Sequence, residues 1–169
     1  MSAGASIDVS DAELLALAQT LSQSLLARGW MLATAESCTG GLIAATCTEL
    51  SGSSTWFDRG FVTYSNAAKS DLIDVPPALI VQHGAVSAAV AEAMARGARI
   101  HSAAQVALAV TGVAGPTGGS ADKPVGTVWF GWSLPDRSQV EVRQFHGDRR
   151  AVRRQTVRHA LAVLVDALG

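Results

Sequence analysis

The chain has 169 residues, which favours one domain large enough to bury a substantial core. Hydrophobic residues make up 49% of it and charged residues only 16%. This composition excludes intrinsic disorder and is typical of a compact α/β protein. The formal net charge of −1 offers no global electrostatic support for a nucleic-acid partner, and we expect none.

The first ten residues carry none of the features of a targeting sequence. Residues 1–10 contain no basic segment followed by an apolar one, and no later apolar run reaches the length of a membrane span. The two cysteines, Cys38 and Cys47, would fall on opposite sides of a helix that carried both, which disfavours a disulfide. We therefore expect a soluble cytoplasmic protein with no membrane partner, made of an N-terminal tail over 1–10 and one domain over 11–169.

The first predicted element is a helix that begins after Ser10, the first residue of a capping-box pattern, and ends at Gly29. Apolar residues recur within it at helical spacing: Leu14, Leu17, Ala18, Leu21 and Leu25. Residues 31–35 then predict a short strand, a glycine turn follows over 36–41, and a helix resumes over 42–50. A strand, a glycine turn and a helix in this order direct free backbone N–H groups at a bound anion.

The remaining elements alternate between helices and strands. Strands are predicted over 59–64, 106–110, 125–132 and 140–145, the last two forming a hairpin. Helices are predicted over 67–73, 87–100 and from Asp148 onward. The pattern contains no internal repeat and no linker. It predicts an α/β fold class, a single three-layer α/β/α domain with a mixed sheet.

The sharpest chemical signal is a serine, a tyrosine and a lysine close together in the sequence. Tyr64 is the only tyrosine and stands five residues before Lys69, one of two lysines in a chain with eleven arginines. A buried lysine loses its proton readily and then acts as a base, whereas arginine stays protonated. Ser53 and Ser54 precede the tyrosine and offer hydroxyl nucleophiles. These are the parts of an acyl-transfer site that needs neither histidine nor metal.

Two glycine-rich segments are candidate binding loops. The first, from Ser37 to Gly41, is either half of an oxyanion or phosphate pocket or a tight turn capped by Ser37 or Thr39. The second, from Thr111 to Ser120, is either a place where a ligand approaches the backbone or a wide surface turn. It matches neither the Walker A pattern nor the dinucleotide fingerprint. We predict no cofactor.

Other reactive residues carry weaker signals. Cys38, beside a predicted helix start, is either an activated thiolate or a small buried residue. The four histidines show no metal-ligand spacing, so no metal is predicted. Five arginines cluster on the last predicted helix: Arg149, Arg150, Arg153, Arg154 and Arg158. We expect most of them on a solvated face, with Arg149 in the first turn as the candidate ligand for a phosphate.

Six short segments occur in an order that is typical of one family. They are Ala35-Glu-Ser-Cys-Thr-Gly-Gly41, Gly52-Ser-Ser54, Tyr64-Ser-Asn-x-x-Lys69, His83-Gly-Ala-Val-Ser87, Thr111-Gly-x-Ala-Gly-Pro116 and Lys123-Pro-Val-Gly-Thr127. Together they resemble the CinA C-terminal domain family, from about residue 12 to the end. The chain departs from the family at Ala67, where an acidic residue is frequent, and at Thr117 in the glycine loop.

The resemblance implies nicotinamide-nucleotide amidase activity, in which nicotinamide mononucleotide is hydrolysed to nicotinate mononucleotide and ammonia in pyridine-nucleotide salvage. It implies Ser54 as the nucleophile and Tyr64 and Lys69 as its activating partners. It also implies layered α/β/α architecture and a homo-oligomer. The substrate-binding residues that it implies are Ser37, Cys38, Thr39, Gly40, Asn66, Thr111, Gly112, Gly115 and Arg149.

Three alternatives to this amidase remain open at this point. They are a non-catalytic module that binds pyridine nucleotides, a thiol amidase that uses Cys38, and an oligomer-forming adaptor. Within the amidase interpretation, Ser53 competes with Ser54 as the nucleophile. Tyr64 either relays a proton between the serine and Lys69 or holds the lysine in place.

Overall fold

The computed structural model describes residues 7–169, so the first six residues of the predicted tail lie outside the described residues. In chain order, the elements are α1 (Asp11–Arg28), β1 (Leu32–Glu36), α2 (Leu42–Thr48), β2 (Phe57–Val62), α3 (Asn66–Ile73), α4 (Pro77–His83), α5 (Ala88–Ile100), β3 (Val106–Gly112), β4 (Thr127–Ser133), β5 (Ser138–Gln144) and α6 (Arg149–Leu168). The strands form one sheet in the order β2-β1-β3-β4-β5. Strands β1, β2 and β3 are parallel, whereas β4 and β5 are antiparallel to their neighbours.

Helix α1 begins and ends where the sequence predicts. The Ser10 hydroxyl accepts a hydrogen bond from the Glu13 N–H at 3.1 Å, and Gly29 adopts the left-handed conformation with φ of 63°. The residues before α1 pack against the domain, because Val9 is buried and its carbonyl accepts hydrogen bonds from Arg154 of α6. The described end of the predicted tail is therefore part of the packed structure.

Helices cover both faces of the sheet, which confirms the predicted three layers. On one face, α1, α2 and α6 contribute a core that includes Leu21, Ile43, Leu161 and the strand residues Leu32 and Leu108. On the other, α3, α4 and α5 pack small and aliphatic side chains on the alternate strand residues, including Ala33, Ala107, Ile73 and Met94. The alternation follows from the two-residue period of strands. None of the helices described over 7–169 is both long enough and apolar enough to cross a membrane.

Two local predictions differ from the structure. The sequence pattern predicts only the end of a helix before Pro76-Pro77, whereas the structure begins helix α4 at Pro77, where the missing N–H of proline costs nothing. Strand β2 ends at Val62, two residues before the predicted end. The carbonyl groups of Thr63 and Tyr64 consequently lie beyond the strand.

The connections from β1 to its two parallel neighbours run in opposite directions. From β1 the chain passes through α2 to β2 on one side, and then through α3, α4 and α5 to β3 on the other side of β1. Since these two crossovers use opposite faces of the sheet, the carboxyl end of β1 is a topological switch point. Crevices at such switch points are where open α/β sheets bind ligands.

Candidate active site

A serine and a lysine meet at the carboxyl end of β1. The Oγ of Ser37 lies 3.2 Å from the Nζ of Lys69. Both residues are buried: Ser37 is 9% exposed and Lys69 only 1%. The Ser37 N–H donates to the Val110 carbonyl at 3.1 Å, which extends the pairing of β1 with β3 by one residue. The sheet therefore fixes the backbone that carries the hydroxyl.

Lys69 is held by oxygen atoms and has no acidic partner. Its Nζ donates to the carbonyl of Thr63 at 2.9 Å and to that of Tyr64 at 3.4 Å, and it forms no ion pair within residues 7–169. Burial lowers the pKa of Lys69 from its ordinary value, and the nearby Cys38 thiol opposes this shift. In its neutral form, an amine that donates to two carbonyls keeps its lone pair for the Ser37 O–H. The geometry suits a base that removes the serine proton.

Helix α3 delivers Lys69 to this position. The Ser65 hydroxyl accepts a hydrogen bond from the Ala68 N–H at 3.0 Å and so caps the helix immediately after β2. Lys69 and Ile73, one turn apart, form the buried face of α3. The short connection between β2 and α3 thus points the lysine back over the end of the sheet.

A buried glutamate shapes the glycine turn that follows Ser37. Glu36 accepts hydrogen bonds from the Thr39 hydroxyl at 2.6 Å and from the N–H groups of Ile43 at 2.8 Å and Ala44 at 3.0 Å. Burial raises the pKa of the Glu36 carboxyl, while these hydrogen bonds act to lower it. Glu36, rather than Ser37 or Thr39, therefore caps α2. This leaves the Ser37 hydroxyl free to contact the lysine.

Cys38 does not have the environment of a thiolate nucleophile. It is 6% exposed, and burial raises the pKa of its thiol to about 12. The Cys38 side chain packs in the core on the α2 face of the sheet. At neutral pH the thiol is protonated, so the thiol-amidase alternative loses its support.

Tyr64 and Arg149 contact each other at the mouth of the site. The phenol oxygen of Tyr64 accepts a hydrogen bond from Nη2 of Arg149 at 3.1 Å, and Nη1 of Arg149 donates to the Gly115 carbonyl at 2.9 Å. Tyr64 is 59% exposed. Its carbonyl contacts Lys69, whereas its hydroxyl is bonded to the arginine. Of the two predicted roles for Tyr64, this geometry supports holding the lysine.

Arg149 also lines a surface cavity of about 480 Å³. The other lining residues come from the second glycine-rich segment and from the start of α6: Ala114, Pro116, Val125, Gly147, Asp148 and Arg150. The volume is within the range of small-molecule sites. A cation thus lines this cavity and contacts Tyr64, whose carbonyl accepts a hydrogen bond from Lys69.

The other predicted substrate-binding residues occupy several positions around the crevice. Thr111 extends β3 beside Ser37, and its hydroxyl donates to the Ala85 carbonyl at 2.9 Å. Gly112 packs so closely on β4 that a Cβ atom would lie 2.7 Å from the Val128 side chain. Gly40 has a left-handed φ of 58° and is exposed in the turn. Asn66 is exposed in the first turn of α3.

The structure separates Ser54 from the residues that it was expected to join. Ser53 and Ser54 lie in a short 3-10 turn before β2, whereas Tyr64 and Lys69 follow that strand. A strand rises about 3.3 Å per residue, so the six residues of β2 span roughly 20 Å. Ser54 consequently lies at the amino end of β2, whereas Lys69 follows the carboxyl end of this strand. This placement does not support Ser54 as the nucleophile, and it puts Ser37 in that position instead.

Three of the five arginines of α6 are exposed, namely Arg149, Arg150 and Arg158, whereas Arg153 and Arg154 are half-buried. Arg153 donates from Nε to the Cys38 carbonyl at 3.2 Å and from Nη2 to the Thr39 carbonyl at 2.9 Å. Arg154 and Arg158 pair with the carboxylates of Asp11 and Glu13 on α1. Contacts between segments more than 100 residues apart leave no local signal in the sequence.

Acidic and sulfur ligands do not converge in this fold. Within residues 7–169, no group of three or more histidine, cysteine, aspartate or glutamate side chains is placed to hold a metal ion. The groups that do converge on the crevice are a hydroxyl, an amine, a guanidinium and backbone groups.

Comparison with known sequences identifies the family of the chain. The family model of the CinA C-terminal domain matches residues 14–168. The nicotinamide-nucleotide amidohydrolase PncC of Escherichia coli (strain K12) is 49% identical over 157 residues, which cover 92% of this chain and 95% of that protein. The protein of the same name from Pseudomonas putida is 56% identical over 145 residues, covering 86% and 91%.

Solved structures share the fold. The competence/damage inducible protein CihA from Agrobacterium tumefaciens superposes with a TM-score of 0.90 at 43% identity, covering 97% of this chain and 99% of that one. A CinA superfamily protein from Klebsiella pneumoniae 700603 gives a TM-score of 0.88 at 39% identity, covering 92% and 97%. Sequence motifs, topology and the family match over nearly the whole chain agree, and the chain belongs to the CinA C-terminal domain family.

Proposed function

We propose that this protein hydrolyses the carboxamide of nicotinamide mononucleotide to give nicotinate mononucleotide and ammonia. The names of its relatives at about 50% identity support this substrate. The observation that carries the chemistry is the buried pair of Ser37 and Lys69, with 3.2 Å between Oγ and Nζ. A hydroxyl beside a neutral amine is a nucleophile beside its base.

In the acylation half of the reaction, Oγ of Ser37 attacks the carbonyl carbon of the carboxamide and its proton passes to Nζ of Lys69. The carbonyl oxygen becomes an oxyanion in the tetrahedral intermediate. The intermediate collapses when the carbon–nitrogen bond breaks, and the Lys69 ammonium returns the proton to the departing nitrogen as ammonia forms. The nicotinoyl group is then an ester of Ser37, and Lys69 is again neutral.

In the second half, a water molecule takes the place of ammonia. Lys69 accepts a proton from this water as its oxygen attacks the ester carbonyl, and the same proton returns to Oγ of Ser37 as the ester breaks. The product leaves as a carboxylic acid and ionises to nicotinate mononucleotide. Since Lys69 is fixed by two backbone carbonyls, one amine serves both halves without moving.

The substrate phosphate requires a cation near the crevice. Arg149 is the one that we assign to it, because it lines the cavity beside the second glycine-rich segment and touches Tyr64. A guanidinium offers a phosphate several N–H donors in one plane. The remaining predicted substrate contacts stay predictions: Cys38, Thr39, Gly40, Asn66, Thr111, Gly112 and Gly115. The homo-oligomer and the cytoplasmic location stay predictions as well.

A non-catalytic module that binds pyridine nucleotides is the alternative. Such a module has no use for a buried amine that lacks a carboxylate partner and contacts a serine hydroxyl. Burying a lysine in this way costs stability, because the charged form loses its hydration. The environment of Lys69 therefore favours catalysis over binding alone.

The test is direct. The purified protein is incubated with nicotinamide mononucleotide, and ammonia and nicotinate mononucleotide are quantified over time. We expect equal amounts of both from the wild-type protein and none above background from Ser37→Ala. Absence of ammonia with the wild-type protein, while its binding of the mononucleotide is measurable by calorimetry, would contradict the amidase and favour the binding module.

A further inference from the structure

The charged side chain of Arg153 binds backbone carbonyl groups of the first glycine turn. Its guanidinium spans the first glycine turn, with Nε on the Cys38 carbonyl and Nη2 on the Thr39 carbonyl. It forms no ion pair within residues 7–169, whereas its neighbour Arg154 pairs with Asp11. Two consecutive carbonyls immediately after Ser37 are thus bound by one rigid fork.

This contact fixes the direction of a backbone N–H. A trans peptide is planar, and its carbonyl and N–H point in opposite directions. Because Arg153 holds the Cys38 carbonyl toward α6, the N–H of the same peptide, which belongs to Thr39, points away from α6. The next N–H, that of Gly40, is already bonded to the Ser37 carbonyl at 3.0 Å. The Thr39 N–H has no acceptor among residues 7–169.

A second contact, between the Thr39 side chain and Glu36, also holds the turn. The Thr39 hydroxyl is bound to Glu36, so this side chain does not turn back to accept its own N–H. A donor two residues after the nucleophile, held from both sides and left unused, meets the requirement for stabilising an oxyanion: it is in place before the charge develops. Contact with a cation on the carbonyl also polarises the peptide and strengthens its N–H as a donor.

We propose that Arg153 is a positioning residue that orients the Cys38–Thr39 peptide, so that the Thr39 N–H donates to the oxyanion formed when Ser37 attacks the carboxamide. This inference rests on the proposed amidase function. The proposal gives the two arginines different roles. Arg149 binds the phosphate and so affects substrate binding, whereas Arg153 helps to stabilise the transition state and so affects turnover.

The experiment compares three variants, Arg153→Ala, Arg153→Lys and the matched control Arg154→Ala, which removes an arginine from the next position of the same helix. We expect Arg153→Ala to lower kcat by about 10²–10³-fold, the effect of losing one oxyanion donor, with little change in KM. The pH dependence of kcat/KM should keep its midpoint, since Lys69 is untouched. Arg153→Lys should restore only part of kcat, because an ammonium cannot hold both carbonyls as a fork. Arg154→Ala should keep its kcat.

A second measurement does not depend on turnover. The aldehyde analogue of the substrate, 3-formylpyridine mononucleotide, adds Oγ of Ser37 to its carbonyl and places an oxygen where the oxyanion forms. We expect Arg153→Ala to weaken its binding by the same factor as kcat, and to leave binding of nicotinate mononucleotide nearly unchanged. If Arg153→Ala unfolds below the assay temperature, the binding of the aldehyde analogue and of nicotinate mononucleotide is compared between Arg153→Lys and wild type instead.

The outcomes distinguish failure of the role proposed for Arg153 from failure of the proposed amidase function. An unchanged kcat in both Arg153 variants, or a loss confined to KM and absent with the unphosphorylated riboside, overturns the assignment and places Arg153 with structure or phosphate binding. If the wild-type protein releases no ammonia, the proposed function fails. The ratio of aldehyde affinities in wild type and Arg153→Ala then still judges the role of Arg153.

Discussion

Nη2 of Arg149 lies 3.1 Å from the phenol oxygen of Tyr64, although 85 positions separate the two residues in the sequence. Through this hydrogen bond, the first turn of α6 reaches the segment whose carbonyl groups hold Lys69. Arg149 also holds the Gly115 carbonyl, so one guanidinium connects the second glycine-rich segment to Tyr64. A phosphate bound by Arg149 would sit beside the reacting groups.

Replacing Arg149 by alanine should impair the mononucleotide more than its riboside. A charge-assisted hydrogen bond contributes roughly 1.5–3 kcal/mol, so we expect kcat/KM for the mononucleotide to fall about ten- to a hundredfold. The unphosphorylated riboside should be a poor substrate already and should lose little further. Kinetics of both substrates with both proteins form a double-mutant cycle. Equal losses for the two substrates would mean that the phosphate is bound elsewhere.

Ser37 and Ser54 can be distinguished by a matched pair of alanine substitutions. We expect Ser37→Ala to lower kcat by at least about 10³-fold, since the nucleophile itself is removed. Ser54 is exposed before the amino end of β2, so the kcat of Ser54→Ala should stay within about twofold of the wild-type value. Steady-state rates and melting temperatures of both variants check this. An inactive, folded Ser54→Ala protein would restore the original assignment from the sequence.

The activity should depend on pH through Lys69. The base must be neutral, and burial lowers its pKa, so kcat/KM should rise with pH to a plateau with a midpoint below the ordinary lysine value of 10.5. Lys69→Arg keeps a positive charge but does not accept a proton, and it should lose about 10²–10⁴-fold in kcat, as much as Lys69→Met. Substantial activity in Lys69→Arg would show that the lysine supplies only charge.

The same lysine should make stability depend on pH. Because the pKa of Lys69 is lower in the folded than in the unfolded protein, the unfolded chain binds more protons between these two values, and stability rises with pH there. This contribution is complete above the unfolded pKa and is lost as pH falls through the folded pKa. Lys69→Met lacks it. Melting temperatures of the two proteins should therefore shift in favour of wild type as pH increases toward 10.5; parallel melting curves would contradict a neutral lysine.

Alkylating agents should not inactivate the folded enzyme. The thiols of Cys38 and Cys47 are both buried, and burial raises the pKa of Cys38 to about 12. We expect iodoacetamide at neutral pH to leave activity unchanged and mass spectrometry to find no adduct until the protein is denatured. Cys38→Ser should also remain active. Loss of activity in step with modification of Cys38 would revive the thiol mechanism.

Patterns that act within one element were readable from the sequence. Helix α1 was predicted from Ser10 to Gly29 because its cap, its apolar spacing and its terminal glycine are local, and Asp148 likewise marks the start of α6. The apolar runs predicted the buried strands β1 and β3, and the mixture of strands and helices predicted the layers. The segment from Tyr64 to Lys69 is a candidate catalytic segment in the sequence because tyrosine and lysine are scarce in this chain.

By itself, the sequence therefore determined the fold class and the family and made Lys69 the candidate base, since these depend on residue type and on spacing along the chain. Only the tertiary structure decided which serine lies beside the lysine. Nearness in sequence favoured Ser54, but an extended strand carries its two ends far apart, whereas parallel pairing brings the end of β1 beside the end of β2. The roles of Glu36 and Arg153 have the same origin, because their partners are defined by packing in space and not by position in the chain.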